Sequence, residues 1–223
     1  MTSKEAIIIV DEIGDLGKTA LKDEERGTYR PSKIFGYGLV VAEDLDVIGD
    51  LAVDFKKLKN ITGELKARDR TDEDKMLLAV QIRKTGAKMF GTYLDKERDI
   101  PEGWTSQKGS NAMLGFLEIS LYDTLGRMSA DNLKVILDRH EAYGDGRVLK
   151  IISDRLRANC GKKVKIEQYR SSSGEYANVL QAIDIVPHAM FLWIERNDDR
   201  ISKELDMTVT RMGSERNMKF KRE

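Results

Sequence analysis

Two aspartates directly follow apolar runs of the kind that form buried β-strands. Asp11 comes after residues 6–10, and Asp138 comes after residues 133–137. Because neighbouring parallel strands end at the same edge of a sheet, we expect these two carboxylates to lie close together. Such a pair can bind a divalent cation, whereas a single aspartate after a strand is usually only a turn residue.

A third aspartate lies inside an apolar helix that the spacing predicts over residues 175–194. Gln181, Asp184 and His188 are spaced at i, i+3 and i+7, so they share one face of that helix. An unpaired carboxylate there would have to take a proton or find a partner, because burial of a lone charge is costly. A cation and a pairing with an arginine or a backbone amide are both compatible with Asp184.

Both histidines of the chain stand near these aspartates. His140 follows Asp138 by two residues, so in an extended chain it would point the same way, and His188 lies one turn beyond Asp184. Either could move protons near neutral pH, and either could equally be a structural residue.

The elements that must position these residues follow from the hydrophobic pattern. Apolar runs predict five strands, and helical spacing of apolar residues predicts five helices, which together indicate a mixed sheet covered by helices. The predicted strands cover residues 6–10, 34–42, 87–94, 133–137 and 164–169. Four of the predicted helices cover residues 45–58, 110–129, 144–158 and 175–194. The fifth begins at residue 71 with a capping-box pattern.

Composition favours one soluble domain of a reducing compartment. Hydrophobic residues make up 40% and charged residues 34% of the 223, and Lys plus Arg and Asp plus Glu both number 38, so no net charge attracts a polyanion over long range. Cys160 is the only cysteine, which excludes an internal disulfide. The apolar run at residues 6–10 is too short for a signal or membrane segment, so we expect no membrane partner and a cytoplasmic location.

Four sequence blocks together resemble those of the family called domain of unknown function 3800. They are Ile-Ile-Val-Asp-Glu-Ile-Gly-Asp (8–15), Gly-Glu-Leu-Lys (63–66), Val-Ile-Leu-Asp (135–138) and Leu-Gln-Ala-Ile-Asp-Ile (180–185). The resemblance implies an α/β, ribonuclease-H-like fold, which is a mixed five-stranded sheet with helices on both faces. That domain would cover residues 1–195, with a helical insertion at about 45–86 and a polar C-terminal extension at 196–223.

The resemblance further implies a metal-dependent nuclease that acts on nucleic acid, either DNA or RNA. Its implied ligands for Mg²⁺ or Mn²⁺ are Asp11, Glu64, Asp138 and Asp184. Hard cations prefer such oxygen ligands, and two ions about 4 Å apart can activate a water in phosphodiester cleavage. Asp11 would bridge the ions, and Lys66 is a candidate for neutralising the scissile phosphate, with Gln181 close by. The chain departs from the family pattern at Ile13, where serine is usual, and at Pro187 in the last helix.

Two other functions are compatible with the sequence. The segment Gly-Asp-Leu-Gly-Lys-Thr (14–19) is similar to a phosphate-binding loop, which would make the protein a nucleotide hydrolase using Lys18. Glu12 stands where the first glycine of such a loop belongs, so this alternative is a minor one. A catalytically inactive ribonuclease-H-like module could instead bind nucleic acid or protein, with contacts from the basic clusters at 56–59, 162–165 and 219–222.

Overall fold

The computed structural model describes residues 5–14, 34–96, 98–99, 109–140, 143–144, 146–196 and 199–212. The strands are β1 (Glu5–Ile13), β2 (Ile34–Ala42), β3 (Lys88–Asp95), β4 (Asn132–Asp138), β5 (Lys163–Tyr169) and β6 (Thr208–Arg211). The helices are α1 (Leu45–Leu58), α2 (Asp72–Lys84), α3 (Gly109–Leu125), α4 (Arg147–Cys160), α5 (Ala177–Ile183), α6 (Ile185–Arg196) and α7 (Asp199–Leu205), with a short 3-10 helix at Ala67–Asp69.

The strands form one mixed sheet in the order β5-β4-β1-β2-β3-β6. β2 is antiparallel to β1 and β3, whereas the pairs β1–β4, β4–β5 and β3–β6 are parallel. On one face Ile9, Val40 and Ile136 pack in a core with α1, α2, α5 and α6, and on the other Ile8 and Val135 pack with α3 and α4. Because side chains alternate between the two faces along the central strands, these strands contribute to two hydrophobic cores, one on each face of the sheet.

The first strand is longer than the sequence predicts. β1 continues through Asp11 to Ile13, because β2 stays paired with it as far as the Ile13–Gly36 position. Ile13 is only 4% exposed and packs in the core that contains Ile9. The isoleucine that departs from the family pattern is thus a core residue, and Asp11 lies within a strand and not after its end.

The described part of residues 196–223 corrects the prediction of five strands followed by a polar extension. α7 and β6 lie there, and β6 adds a sixth strand by pairing with β3. Leu205, Met207 and Met212 are buried, and Arg211 forms two hydrogen bonds to Asp99, of 2.9 and 3.0 Å. These apolar residues are too few and too unevenly spaced to give a periodic signal in the sequence.

The predicted helix over residues 175–194 is divided into α5 and α6, and Asp184 stands at the junction. Pro187 has no N–H group to donate to the carbonyl of Ile183, which weakens the helix at this point. The backbone at Asp184 nevertheless stays helical, with φ −50° and ψ −28°. By length and composition the stretch Ala177–Ile194 could cross a membrane, but 61% of it is buried inside the fold, as in a core helix.

Glycines in the sheet let α6 lie directly on β2 and β3. A Cβ atom at Gly38 would stand 2.8 Å from Cδ of Pro187, and one at Gly91 would overlap Sδ of Met190. Gly38 is paired with Asp11 across the β1–β2 ladder. The close approach of α6 to Gly38 therefore holds the α5–α6 junction beside Asp11.

Candidate active site

A pocket of about 310 Å³ opens where the β1 aspartate, the end of β4 and the α5–α6 junction meet. Three of the four carboxylates predicted as ligands line it, namely Asp11, Asp138 and Asp184, and so does Lys66. The other lining residues are Glu12, Leu65, Arg68, Ser171, Leu180, Gln181 and His188. Gln181, Asp184 and His188 share one face of the helix, as their spacing predicts.

The sheet brings the first two carboxylates together through its register. β1 and β4 are parallel neighbours, and Ile9 pairs with Ile136, so the residues two positions further on, Asp11 and Asp138, emerge on that same face. α5 and α6 pack against this face of the sheet, and their junction places Asp184 over it. Three stretches that are distant in sequence thus meet at one place.

Backbone amides hold the carboxylates of β1 and β4. Oδ1 of Asp11 accepts a hydrogen bond from the N–H of Glu12 at 2.9 Å. Oδ1 of Asp138 accepts two, from the N–H of Arg139 at 2.8 Å and from the N–H of Ser171 at 3.0 Å. Hydrogen bonds from backbone N–H groups fix the orientation of a carboxylate.

Asp184 has a backbone partner as well. Its Oδ2 accepts a hydrogen bond from the N–H of Ala67 at 2.8 Å, and its Oδ1 lies 3.7 Å from Nε2 of His188. The backbone-amide pairing that the sequence left open is therefore present at one oxygen. Burial, which outweighs the charge of Asp184, lowers the pKa of His188, so this imidazole is neutral near pH 7.

Negative charge is concentrated around Asp11. Burial is the largest cause that raises its pKa well above the ordinary value, and the charges of Glu12, Asp184 and Asp138 raise it further. A pKa raised in this way means that like charges and desolvation oppose ionisation, which a nearby cation would relieve.

The pocket fits a hard divalent cation in the type and charge of its donors, since carboxylate oxygens are the ligands that Mg²⁺ and Mn²⁺ prefer. Within the described ranges, no three His, Cys, Asp or Glu side chains are arranged so that they could hold one ion together. The carboxylates at the pocket would therefore have to rotate toward a cation to bind it jointly.

Glu64, the fourth predicted ligand, is placed beside the pocket and not in its lining. Its Oε1 accepts a hydrogen bond from Oγ of Ser171 at 2.7 Å and forms an ion pair with Nζ of Lys66, also at 2.7 Å. Burial raises the pKa of Glu64, but the hydrogen bonds with Lys66 and Ser171 and the charges of Lys66 and Lys56 together outweigh it, so the net shift is downward. Its role as a metal ligand stays a prediction.

Lys66 is surrounded by acids. Burial lowers its pKa, but the hydrogen bond to Glu64 and the charges of Glu64, Asp184 and Asp138 raise it by more. The ammonium group therefore stays protonated. Its Nζ also donates to Oγ of Ser171 at 3.4 Å.

Gln181 ties the segments of the site together. Its Oε1 accepts hydrogen bonds from the N–H of Leu65 at 3.0 Å and from Nζ of Lys56 at 3.3 Å, and its Nε2 donates to the carbonyl of Ser171 at 2.6 Å. The side chain is buried, with 5% exposed. The sequence indicated Gln181 by its place on the helix face and by the resemblance of its block, but it gave no signal for Ser171, which lies in the loop after β5.

Glu12 reaches the pocket from the other face of the sheet. Its Oε2 accepts a hydrogen bond from the hydroxyl of Tyr143 at 3.2 Å. Burial raises the pKa of Glu12, and the charge of His140 and the Tyr143 hydrogen bond offset this only in part. His140 itself, whose ring centroid lies 5.7 Å from that of Tyr143, is not among the described residues that line the pocket, whereas His188 is.

Lys18 of the alternative phosphate-binding loop lies outside the described residues.

Comparisons with known proteins bear on the fold. No protein-family model matches the sequence, and no curated protein sequence matches it. A chain in the structure of the PCNA:RNase HII complex from Archaeoglobus fulgidus is similar in fold, with a TM-score of 0.50 and 14% identity, over 90% of this chain and 77% of that one. The protein is thus a mixed α/β domain with a six-stranded sheet, similar in fold to RNase HII.

Proposed function

We propose that this protein is a divalent-metal-dependent nuclease with a ribonuclease-H-like fold. The observation that carries the proposal is the convergence of Asp11, Asp138 and Asp184, from three separate elements, on one pocket that also contains Lys66. The similarity in fold to RNase HII, a nuclease by name, supports it. Membership of the family called domain of unknown function 3800 is part of the same proposal.

The three pocket carboxylates would hold Mg²⁺ or Mn²⁺, with Glu64 as a further ligand if its side chain turns inward. When bound, a metal pair activates a water and stabilises the leaving oxygen in phosphodiester hydrolysis. The chain's own part is to fix the carboxylates through backbone amides and to keep the 64–67 segment in place through Gln181. Lys66, which stays protonated, can neutralise a phosphate oxygen of the substrate.

His188 offers a place for a proton at the pocket. Its imidazole is neutral near pH 7, because burial lowers its pKa, and it lies 3.7 Å from Asp184. A neutral imidazole can accept a proton that a reacting group releases. We therefore assign His188 the role of a proton acceptor in the proposed reaction.

The test is cleavage of labelled DNA and RNA oligonucleotides, single and double stranded, with Mg²⁺, Mn²⁺ or EDTA. Asp11→Asn should lower metal-dependent cleavage by about 100-fold or more, because it removes a central charge of the site. Asp154→Asn is the matched control, since Asp154 lies on α4 with its side chain 62% exposed and pairs only with Lys150 among the described contacts. Equal cleavage by wild type and Asp11→Asn would reject the proposed site.

A catalytically inactive nucleic-acid-binding module is the second candidate. The observation that favours it is that, in the described part of the chain, no three acidic or histidine side chains are already arranged around one point. Oligonucleotide binding that survives EDTA, together with no cleavage under any metal condition, would support this candidate over the nuclease.

A further inference from the structure

Among the described residues, Lys66 and Arg68 are the lysine and arginine side chains that line the pocket. The ammonium group of Lys66 lines the pocket with Asp138 and Asp184, while Nζ is held by Glu64 at 2.7 Å and Ser171 at 3.4 Å. The side chain is 34% exposed, so its ammonium end is open to solvent while its stem packs against the fold. Lys66 therefore shares the pocket with Asp138 and Asp184, while its ion pair is with Glu64.

The hydrogen bonds of the site explain why the ammonium group stays there. Glu64 is held in turn by Ser171, whose backbone N–H binds Asp138 and whose carbonyl is held by Gln181. Glu64 is thus fixed at the rim of the pocket as the anchor of Lys66. An ammonium group in this position reduces the negative potential that would attract another cation.

We propose that Lys66 is the internal counter-ion of the acidic pocket and that a divalent cation must displace it to bind. This inference rests on the metal binding in the proposed function, but not on cleavage. Glu64 then acts by placing Lys66 and is not itself a required ligand. Displacement leaves the ammonium group free to face a substrate phosphate.

The first experiment measures Mn²⁺ affinity by isothermal titration calorimetry on the full chain, without nucleic acid. Lys66→Met should bind Mn²⁺ about tenfold more tightly than wild type. A factor of this size is typical when two cations, here the Lys66 ammonium group and Mn²⁺, compete for one site. Lys150→Met is the matched control, because Lys150 is 78% exposed on α4, which packs on the other face of the sheet, and its removal takes away the same charge. Melting curves verify that both variants are folded.

The second experiment separates the two roles open to Glu64. If Glu64 acts through Lys66, Glu64→Gln should weaken Mn²⁺ binding in the wild-type background, because the released ammonium group neutralises the pocket more fully. In the Lys66→Met background the same change should alter the affinity by far less. A loss of equal size in both backgrounds would mean that Glu64 binds the metal directly.

The outcomes distinguish this inference from the proposed function. Equal Mn²⁺ affinity of wild type and Lys66→Met overturns the counter-ion role, even if the enzyme cleaves nucleic acid. Tighter Mn²⁺ binding by Lys66→Met without cleavage by wild type supports the counter-ion role and rejects the nuclease. No measurable Mn²⁺ binding by either protein rejects both.

Discussion

The contact between Gly38 and Pro187 can be tested with one methyl group. A Cβ at Gly38 would lie 2.8 Å from Cδ and 2.9 Å from Cβ and N of Pro187, whereas ordinary contacts begin at 3.4 Å. Because the proline ring is rigid, Gly38→Ala should push α6 away from β2 by about 0.6 Å, and overpacking of this kind costs about 1–3 kcal/mol. For a domain of this size, that lowers the melting temperature by about 2–12 °C.

The same displacement should damage the site by more than it damages the fold. α6 begins directly after Asp184, so its retreat moves this carboxylate away from Asp11, and catalytic geometry tolerates only about 0.5 Å. We expect metal-dependent cleavage, measured well below the melting temperature, to fall by about 10- to 100-fold. Mn²⁺ affinity measured by calorimetry should fall with it.

Gly49→Ala is the control for this experiment. A Cβ at Gly49 meets Cγ2 of Val179 at 3.5 Å, which is an ordinary contact, and alanine suits the interior of α1 better than glycine. This variant should melt at or slightly above the wild-type temperature with unchanged Mn²⁺ affinity. If Gly38→Ala behaves in the same way, the contact does not position Asp184 and the reasoning is refuted.

Three further predictions concern stability. Asp11→Asn should raise the melting temperature in EDTA at pH 8, since it removes a carboxylate whose folded-state pKa is raised, so that its ionisation opposes folding above the ordinary pKa. The gain should shrink toward pH 4 in melting curves, and a gain independent of pH would contradict this cause. Gln181→Met leaves the buried N–H of Leu65 and the carbonyl of Ser171 without this partner, at a cost of about 1–3 kcal/mol each, so the urea midpoint of unfolding should fall. An unchanged midpoint would mean that the hydrogen bonds of Gln181 do not stabilise the fold. Arg211→Met should speed amide hydrogen exchange in β6 while β1 and β4 keep their protection, because the ion pair between Arg211 and Asp99 holds only the β6 edge of the sheet. An equal increase of the exchange rate in all strands would argue against this local role.

Local chemistry made much of this fold predictable. The β-branched runs of β1 and β4 and the Thr71 cap of α2, whose Oγ1 accepts from the N–H of Asp74 at 3.2 Å, depend on neighbours in sequence. The meeting of Asp11 and Asp138 follows from one general property of parallel strands. These features need no knowledge of distant contacts.

The remainder depends on contacts that no local pattern encodes. Gln181 binds the N–H of Leu65 across 116 residues, and Ala67 binds Asp184 across 117. β6 is a four-residue edge strand whose place beside β3 is decided by a few buried side chains and one arginine. Because such contacts depend on the packing of the whole domain, the hydrogen bond from Ser171 to Glu64 could not be predicted from the 63–66 block, although Lys66, the ion-pair partner of Glu64, stands in that block.

The donors that orient Asp138 and Asp184 belong to the main chain, namely the amides at positions 67, 139 and 171. Every amino acid except proline carries that donor, so mutations at these positions can accumulate without loss of the carboxylate geometry. Relatives of this protein could therefore differ at positions 67, 139 and 171, whereas a proline at any of them would remove a donor and mark a relative that has lost this geometry.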